Sequence, residues 1–152
     1  MSEPEPAPQT FTTIESALAF IGRRIGSIDK TGQNQHFRYR FIEHAEVVAR
    51  SAPLLHAAGI VVVPIVRNVE VRDVEKGAIA VVTVAVQFRR SKDDLVEAVV
   101  AGEGMDSQDK AVSKAITQAL KRAYMTVLGL AVNEGLDDRA DFNRPPPPRR
   151  SP

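Results

Sequence analysis

Residues 102–130 constrain the fold more than any other part of the sequence, because they join a loop to one long helix. At about 100° per residue, four polar residues of that segment fall in one narrow sector. They are Lys110, Lys114, Thr117 and Lys121. The opposite side is apolar and consists of Val112, Ala115, Ile116, Ala119 and Ala123, with Leu120 at its edge. Such a helix packs on a core through one face and presents ammonium groups through the other.

The residues before this helix predict an antiparallel sheet. Three runs rich in Val and Ile, at residues 60–72, 78–89 and 95–101, are separated by connections of hairpin length. Pro64 indicates an edge or a bulge near the start of the first strand, since proline donates no backbone hydrogen bond. The sequence therefore predicts an α+β fold in which an antiparallel β-meander packs against a long amphipathic helix.

Two shorter helices are predicted upstream of the sheet. Thr12 or Thr13 can cap the first, and its apolar positions are Ile14, Leu18, Ile21 and Ile25. A polar, turn-rich loop follows at residues 29–34. The second helix is expected at residues 43–58, with Pro53 kinking or splitting it. Its core candidates are Val47, Val48, Leu54 and Leu55.

A short strand is predicted at residues 36–41, where aromatic and basic residues alternate. Its aromatic side carries Phe37, Tyr39 and Phe41, and its other side carries His36, Arg38 and Arg40. We expect the three aromatic rings to pack in the core rather than to stack on bases. The basic side then offers a second cationic surface besides that formed by Lys110, Lys114 and Lys121 of the long helix.

The chain divides into a core and two polar ends. Residues 1–11 are expected to form a disordered arm because proline and glutamate alternate there with nothing to bury. Residues 12–132 form the predicted core domain, and residues 133–152 an acidic and then Pro-rich flexible tail. Cysteine is absent, no apolar run is long enough to span a membrane, and no signal peptide is recognisable. We therefore expect a cytoplasmic protein with no membrane partner.

Charge placement, rather than net charge, points to a polyanion. The formal net charge is only +1, but no Glu or Asp interrupts the helix between Lys110 and Arg122. Unbalanced ammonium groups at helical spacing repel one another unless an anion lies over them, and a nucleic-acid backbone is the commonest such partner. A solvated charged face is the simpler alternative. The candidate DNA-binding residues are Lys110, Lys114, Lys121, Arg122, Arg38, Arg40, Lys30, Arg89 and Arg90.

Enzymatic interpretations find little support. The chain has no phosphate-binding loop of the Gly-x-x-x-x-Gly-Lys-Ser/Thr type. The three histidines lack the spacing of metal ligands. Asp106 and Asp109 could hold magnesium, but a helix cap by Asp106 or Ser107 with Asp109 in the first turn explains them more simply. We expect neither a cofactor nor an enzymatic activity.

Two blocks of the sequence resemble the ERF family, the essential-recombination-function single-strand annealing proteins of phages and prophages. The more diagnostic block is GEGMDSQDKA at residues 102–111, continued by KAITQALKRAY at residues 114–124. The second is FRYRF at residues 37–41, followed by a helix and PLLHAAGI at residues 53–60. The resemblance covers roughly residues 12–140.

This resemblance implies binding of single-stranded DNA and annealing of complementary strands without ATP, in phage recombination and repair within a bacterial host. It also implies a homo-oligomer, either a ring or a helical filament, and a core similar to the annealing domain of the eukaryotic recombination mediator. A phage exonuclease or a host single-strand-binding protein would be a further partner. By motif match, Lys110, Lys114 and Lys121 would contact the DNA backbone, with Arg38 and Arg40 as weaker candidates. The alternative is an oligomeric scaffold that binds an acidic protein partner without annealing DNA.

Overall fold

The computed structural model describes residues 10–133, which fold as three helices and seven strands. In chain order these are α1 (Ile14–Ile25), β1 (Ser27–Asp29), β2 (Gly32–Asn34), β3 (Tyr39–Phe41), α2 (His44–Ala57), β4 (Val61–Val74), β5 (Gly77–Arg89), β6 (Leu95–Asp106), α3 (Ala111–Val127) and β7 (Ala131–Asn133). Nearly all of the predicted N-terminal arm and of the acidic, Pro-rich tail lies outside the described residues.

A three-stranded antiparallel meander, in the order β4-β5-β6, forms the main sheet and carries α3 across one face. The predicted α+β architecture is therefore confirmed. β4 is an edge strand, and its register shifts between Val66 and Asn68, in agreement with the prediction from Pro64. Among residues 10–133, no strand pairs with the outer edge of β4 or of β6.

Helix α3 packs closely on the sheet because small residues meet at the contact. Its buried alanines recur every four residues and face two glycines of β6. A Cβ on Gly102 would overlap the carbonyl oxygen of Ala115, and one on Gly104 would overlap that of Ala111. The glycines thus belong to a strand that the helix backbone crosses, not to the loop that the sequence predicted, and β6 continues to Asp106.

The start of α3 differs from the prediction. The N-cap residue is Lys110, which makes no side-chain cap hydrogen bond, and Asp109 precedes the helix. The prediction that Asp106 or Ser107 caps the helix is therefore wrong. Asp106 ends β6 instead, and its carboxylate accepts hydrogen bonds from the amide of Gln108 and the ammonium of Lys114. The strand extends to the residues that were expected to cap the helix.

The upstream helices agree with the sequence more closely. In α1, the Thr13 hydroxyl accepts a hydrogen bond from the Ser16 amide, as expected of an N-cap. The predicted apolar stripe of α1 is buried in the core. Helix α2 runs unbroken through Pro53, so proline does not split it. No helix within residues 10–133 combines the length and hydropathy needed to cross a membrane.

Two small sheets lie outside the meander. β1 pairs in parallel with β7, and β2 pairs with β3 in an antiparallel hairpin. Residues 29–34, predicted as a loop, thus contribute to two strands, whereas the strand predicted from residue 36 begins only at Tyr39. The reason is Asn34, whose side-chain oxygen accepts hydrogen bonds from the amides of His36 and Phe37 and holds them in a turn.

The predicted burial of the aromatic residues near this hairpin is wrong. Phe37 is 65% exposed, Tyr39 42% and Phe41 37%. Because residues 36–38 form a turn, with Arg38 at a φ of 52°, Phe37 does not share a strand face with the other two. The hairpin also lies outside the main sheet, and no layer of the described structure covers its aromatic side chains completely.

Candidate nucleic-acid interface

Two adjoining grooves, each of about 400 Å³, lie beside the polar face of α3. Lys110, Lys114 and Lys121 line the first groove, opposite the segment that joins β3 to α2. The second groove lies on the other side of Lys121 and is lined by four cationic residues: Lys30, Arg40, Lys121 and Arg122. Phe41, Ile42 and Lys121 line both grooves.

The fold thus assembles cations that are distant in the sequence. Lys30 follows β1, Arg40 lies in β3, and the remaining groove cations belong to α3 or cap it. Together the two grooves include the predicted residues Lys110, Lys114, Lys121, Arg122, Arg40 and Lys30. The resulting surface can attract a chain of negative charges although the whole protein has a formal net charge of only +1.

Lys121 occupies the centre of this surface and is half-buried. Its Nζ donates a hydrogen bond of 2.9 Å to the carbonyl oxygen of Ile42 and lies 5.9 Å from the centroid of the Phe41 ring. Burial, and next the charge of Arg122, lower the pKa of Lys121 from its ordinary value. The ammonium therefore joins α3 to the β3–α2 segment as well as contributing charge to both grooves.

Lys114 has an intramolecular anion beside it. Its Nζ lies 2.5 Å from Oδ2 of Asp106 and donates a hydrogen bond of 3.2 Å to the carbonyl oxygen of Met105. Above all the hydrogen bond from Lys114, and then that from the Gln108 amide, lower the pKa of Asp106. The positive charge along the polar face of α3 is thus partly neutralised by Asp106, a strand residue that the helix sequence alone did not reveal.

Three side chains of α3 close the outer edge of β6. Lys114 donates to the carbonyl of Met105, Gln118 accepts from the amide of Glu103 at 2.6 Å, and Arg122 donates to the carbonyl of Ala101 at 2.8 Å. These odd-numbered strand residues turn their backbone groups away from β5, since successive residues of a strand alternate in direction.

These three side chains recur every four residues along one line of the helix, while the backbone groups that they bind alternate along the strand. They satisfy groups that an edge strand would otherwise leave open to another chain. Lys114 and Arg122 therefore stabilise the fold in addition to lining the grooves.

Lys110 and Arg38 differ from these residues, since both are exposed and neither side chain has a bonding partner within residues 10–133. Lys110 lies at the outer end of the first groove. Arg38 lies in the hairpin turn and lines neither groove. Of the predicted residues within the grooves, Lys110 is the one through which charge can be altered with the least disturbance of the fold.

The sequence pattern did not indicate that His44 belongs to this site. It is the first residue of α2, it lines the first groove, and its Nδ1 is buried without a hydrogen-bond partner among the described residues. Burial, and next the charge of Lys121, lower the pKa of His44. A lone histidine at a helix start carries no distinctive pattern, so only the packing of α2 against α3 reveals its position.

Arg89 and Arg90 lie at the end of the β5–β6 hairpin, away from both grooves. Arg90 forms an ion pair with Asp94 at 2.6 Å and donates a hydrogen bond of 2.8 Å to the carbonyl oxygen of Phe11. Arg89 donates to Gln87. Arg90 therefore holds the residues before α1 against the hairpin, a contact between distant parts of the chain.

Within the described residues, no three His, Asp or Glu side chains are grouped as metal ligands. The Asp106 carboxylate, considered above as a magnesium ligand, is bonded to Lys114 and Gln108. Among the described residues that line the two grooves, six are Lys or Arg and one, Glu103, is acidic.

Comparison with known sequences gives one family. The sequence profile of the ERF superfamily matches residues 14–149, which include every residue that lines the two grooves. No curated protein matches the chain.

Proposed function

This chain belongs to the ERF superfamily, and we propose on that basis that it binds single-stranded DNA and anneals complementary strands without ATP during phage homologous recombination. The observation that carries the proposal is the pair of adjoining grooves, which gathers cations from α3, β3 and the segment after β1 on one side of the molecule. A phosphate backbone is the polyanion whose charges follow one another along such a surface.

Binding would rest on electrostatics. Phosphates that approach Lys110 and the cations of the second groove release the counterions condensed on the DNA, and this release supplies affinity without reading sequence. Formation of the duplex then supplies the free energy of annealing, so no nucleotide hydrolysis is required. The proposal accordingly includes no catalytic step and no cofactor.

The nearly neutral total charge favours a proposal in which several subunits act together. A ring or a helical filament repeats the two grooves once per subunit and so produces a longer basic surface than one chain offers. We propose such a homo-oligomer, a core similar to the annealing domain of the eukaryotic recombination mediator, and cooperation with an exonuclease or a single-strand-binding protein inside the bacterial host cell.

The test is annealing of complementary oligonucleotides in the absence of ATP, together with binding of one labelled strand at several salt concentrations. Lys110→Gln removes an exposed groove cation, and we expect weaker binding and slower annealing. The slope of log K against the logarithm of the salt concentration should become less steep by about 0.7 per lost phosphate contact. Lys92→Gln is the matched control, because it removes the same charge from the exposed β5–β6 loop.

Three results would contradict the proposal. The first would be a wild-type protein that does not accelerate annealing. The second would be an affinity for the labelled strand that does not depend on salt, and the third an equal loss of affinity in the Lys110→Gln and Lys92→Gln variants. Salt-dependent binding of an acidic protein but not of DNA would instead support the scaffold interpretation.

A further inference from the structure

The aromatic side chains near the β2–β3 hairpin are exposed beside the basic grooves. Phe37, Tyr39 and Phe41 each leave more than a third of their surface in contact with solvent. An aromatic side chain that packs in a core normally buries about 150–250 Å². Contiguous exposed apolar groups are typical of interaction sites, and the rings of Tyr39 and Phe41 lie next to each other.

Two of these rings are held in fixed positions. Tyr39 and Phe41 lie two residues apart on β3, so their side chains share a face, and their ring centroids are 6.1 Å apart. Phe41 lies across Gly32 of the paired strand, where an added Cβ would lie 2.5 Å from its Cε2. Asn34 donates a hydrogen bond of 3.4 Å to the Tyr39 hydroxyl. These contacts orient the two rings.

The rings adjoin the cations that would bind phosphates. Phe41 lines both grooves, and the Lys121 ammonium lies 5.9 Å from its centroid. A polynucleotide whose phosphates lie along α3 therefore has its bases within reach of β3. A basic groove combined with aromatic side chains is the arrangement by which proteins hold single strands irrespective of sequence, because every base has a π-face.

We propose that Tyr39 and Phe41 form a stacking platform for the nucleobases of a single strand. This inference rests on the proposed function, since the grooves must first hold the phosphates. It adds that the protein contacts the bases as well as the backbone. The rings would hold the bases of the first strand apart from solvent but leave their pairing edges accessible to the complementary strand.

The composition of the chain provides a direct probe. It contains two tyrosines and no tryptophan, and Tyr124 is buried whereas Tyr39 is exposed. Stacking of a base on Tyr39 should therefore quench tyrosine emission. We would compare a thymidine oligonucleotide with an abasic deoxyribose-phosphate oligomer of the same length, which carries the phosphates but no bases. Quenching is expected with the first and not with the second.

Variants at Tyr39 separate base contact from backbone contact. Tyr39→Leu should weaken binding of the thymidine oligonucleotide by about 5- to 100-fold and leave binding of the abasic oligomer unchanged. Tyr39→Phe keeps the ring, so it should retain affinity and lose the quenching signal. Circular dichroism of each variant checks that the fold is retained.

The platform is excluded if Tyr39→Leu weakens both ligands equally or neither of them, or if it changes the oligomeric state without changing the preference for bases. In those cases binding of the abasic oligomer by the wild-type protein still supports the proposed function. If neither ligand binds the wild-type protein, the proposed function itself fails.

Discussion

The ammonium of Lys121 and the carbonyl oxygen of Ile42 are joined by a hydrogen bond of 2.9 Å that links α3 to the segment before α2. One groove cation is therefore also a structural contact between two elements. A loss of DNA binding on removing Lys121 would combine a lost charge with a disturbed fold. The two effects can be measured separately.

We expect Lys121→Met to lower the free energy of unfolding by about 1–3 kcal/mol, because it leaves the Ile42 carbonyl without its donor. Lys110→Met is the matched control, since its side chain is exposed and has no partner within the described residues; it should change stability by less than about 0.5 kcal/mol. Urea unfolding measures both. Equal stability of the two variants would contradict a structural role for Lys121.

Gly102→Ala should destabilise the protein by at least about 2 kcal/mol, because the new methyl group would overlap the Ala115 carbonyl and push α3 away from the sheet. Ala101→Val adds methyl groups to the exposed side of the same strand and should shift stability by no more than about 0.5 kcal/mol. The measurement is again denaturant unfolding. A wild-type midpoint for Gly102→Ala would contradict the close packing of α3 on β6.

Gln118→Ala should accelerate hydrogen exchange at one backbone position, the amide of Glu103, which donates to Gln118 at 2.6 Å. Gln118→Glu retains an acceptor oxygen and should keep the protection. Residue-resolved exchange measured by NMR is the appropriate observable. The loss of one hydrogen bond should cost about 1 kcal/mol of stability. Unchanged exchange at Glu103 in Gln118→Ala would mean that the side chain does not close this edge.

The pKa of His44 should depend on Lys121. Burial, and next the Lys121 charge, lower the His44 pKa from 6.5, so the folded protein favours the neutral imidazole. The associated stability is present above pH 6.5 and is lost as the pH falls from there towards the lowered folded value.

We expect Lys121→Met to raise the pKa of His44 while burial still holds it below 6.5, and hence to shorten the pH interval in which stability is lost. An NMR titration of the imidazole protons measures this, with Lys110→Met as the reference for a more distant charge. A His44 pKa that stays constant or falls in Lys121→Met would exclude the coupling.

Local patterns in the sequence were sufficient for the helices and the meander. The apolar positions of α1 and α3 recur at the helical period, and Pro64 correctly indicated an edge strand. Sequence proximity could not show that Asp106 lies beside Lys114, because this pairing exists only once α3 folds back over β6. It likewise could not show that Arg122 donates to a strand carbonyl.

The aromatic residues were misassigned for a related reason. Alternation at residues 36–41 indicated a strand with a buried side, but the Asn34 side chain binds the amides of His36 and Phe37 and ends that alternation. Asparagine before a polar turn was the available signal. The exposure of Phe37 follows from the turn, whereas the exposure of Tyr39 and Phe41 depends on where the hairpin lies relative to the main sheet.

The difference between the two outer edges of the meander also limits the symmetry of any assembly that shares this sheet. Head-to-tail addition would place β4 of one copy on β6 of the next, and each junction would first break the three hydrogen bonds that α3 makes to β6. Pairing of β4 with β4 breaks none of them, but it is related by a two-fold axis and stops at two copies. A closed ring or an open helix of this chain would therefore keep these three hydrogen bonds only if its subunits met through heterologous contacts between their faces, with each sheet remaining within its own subunit.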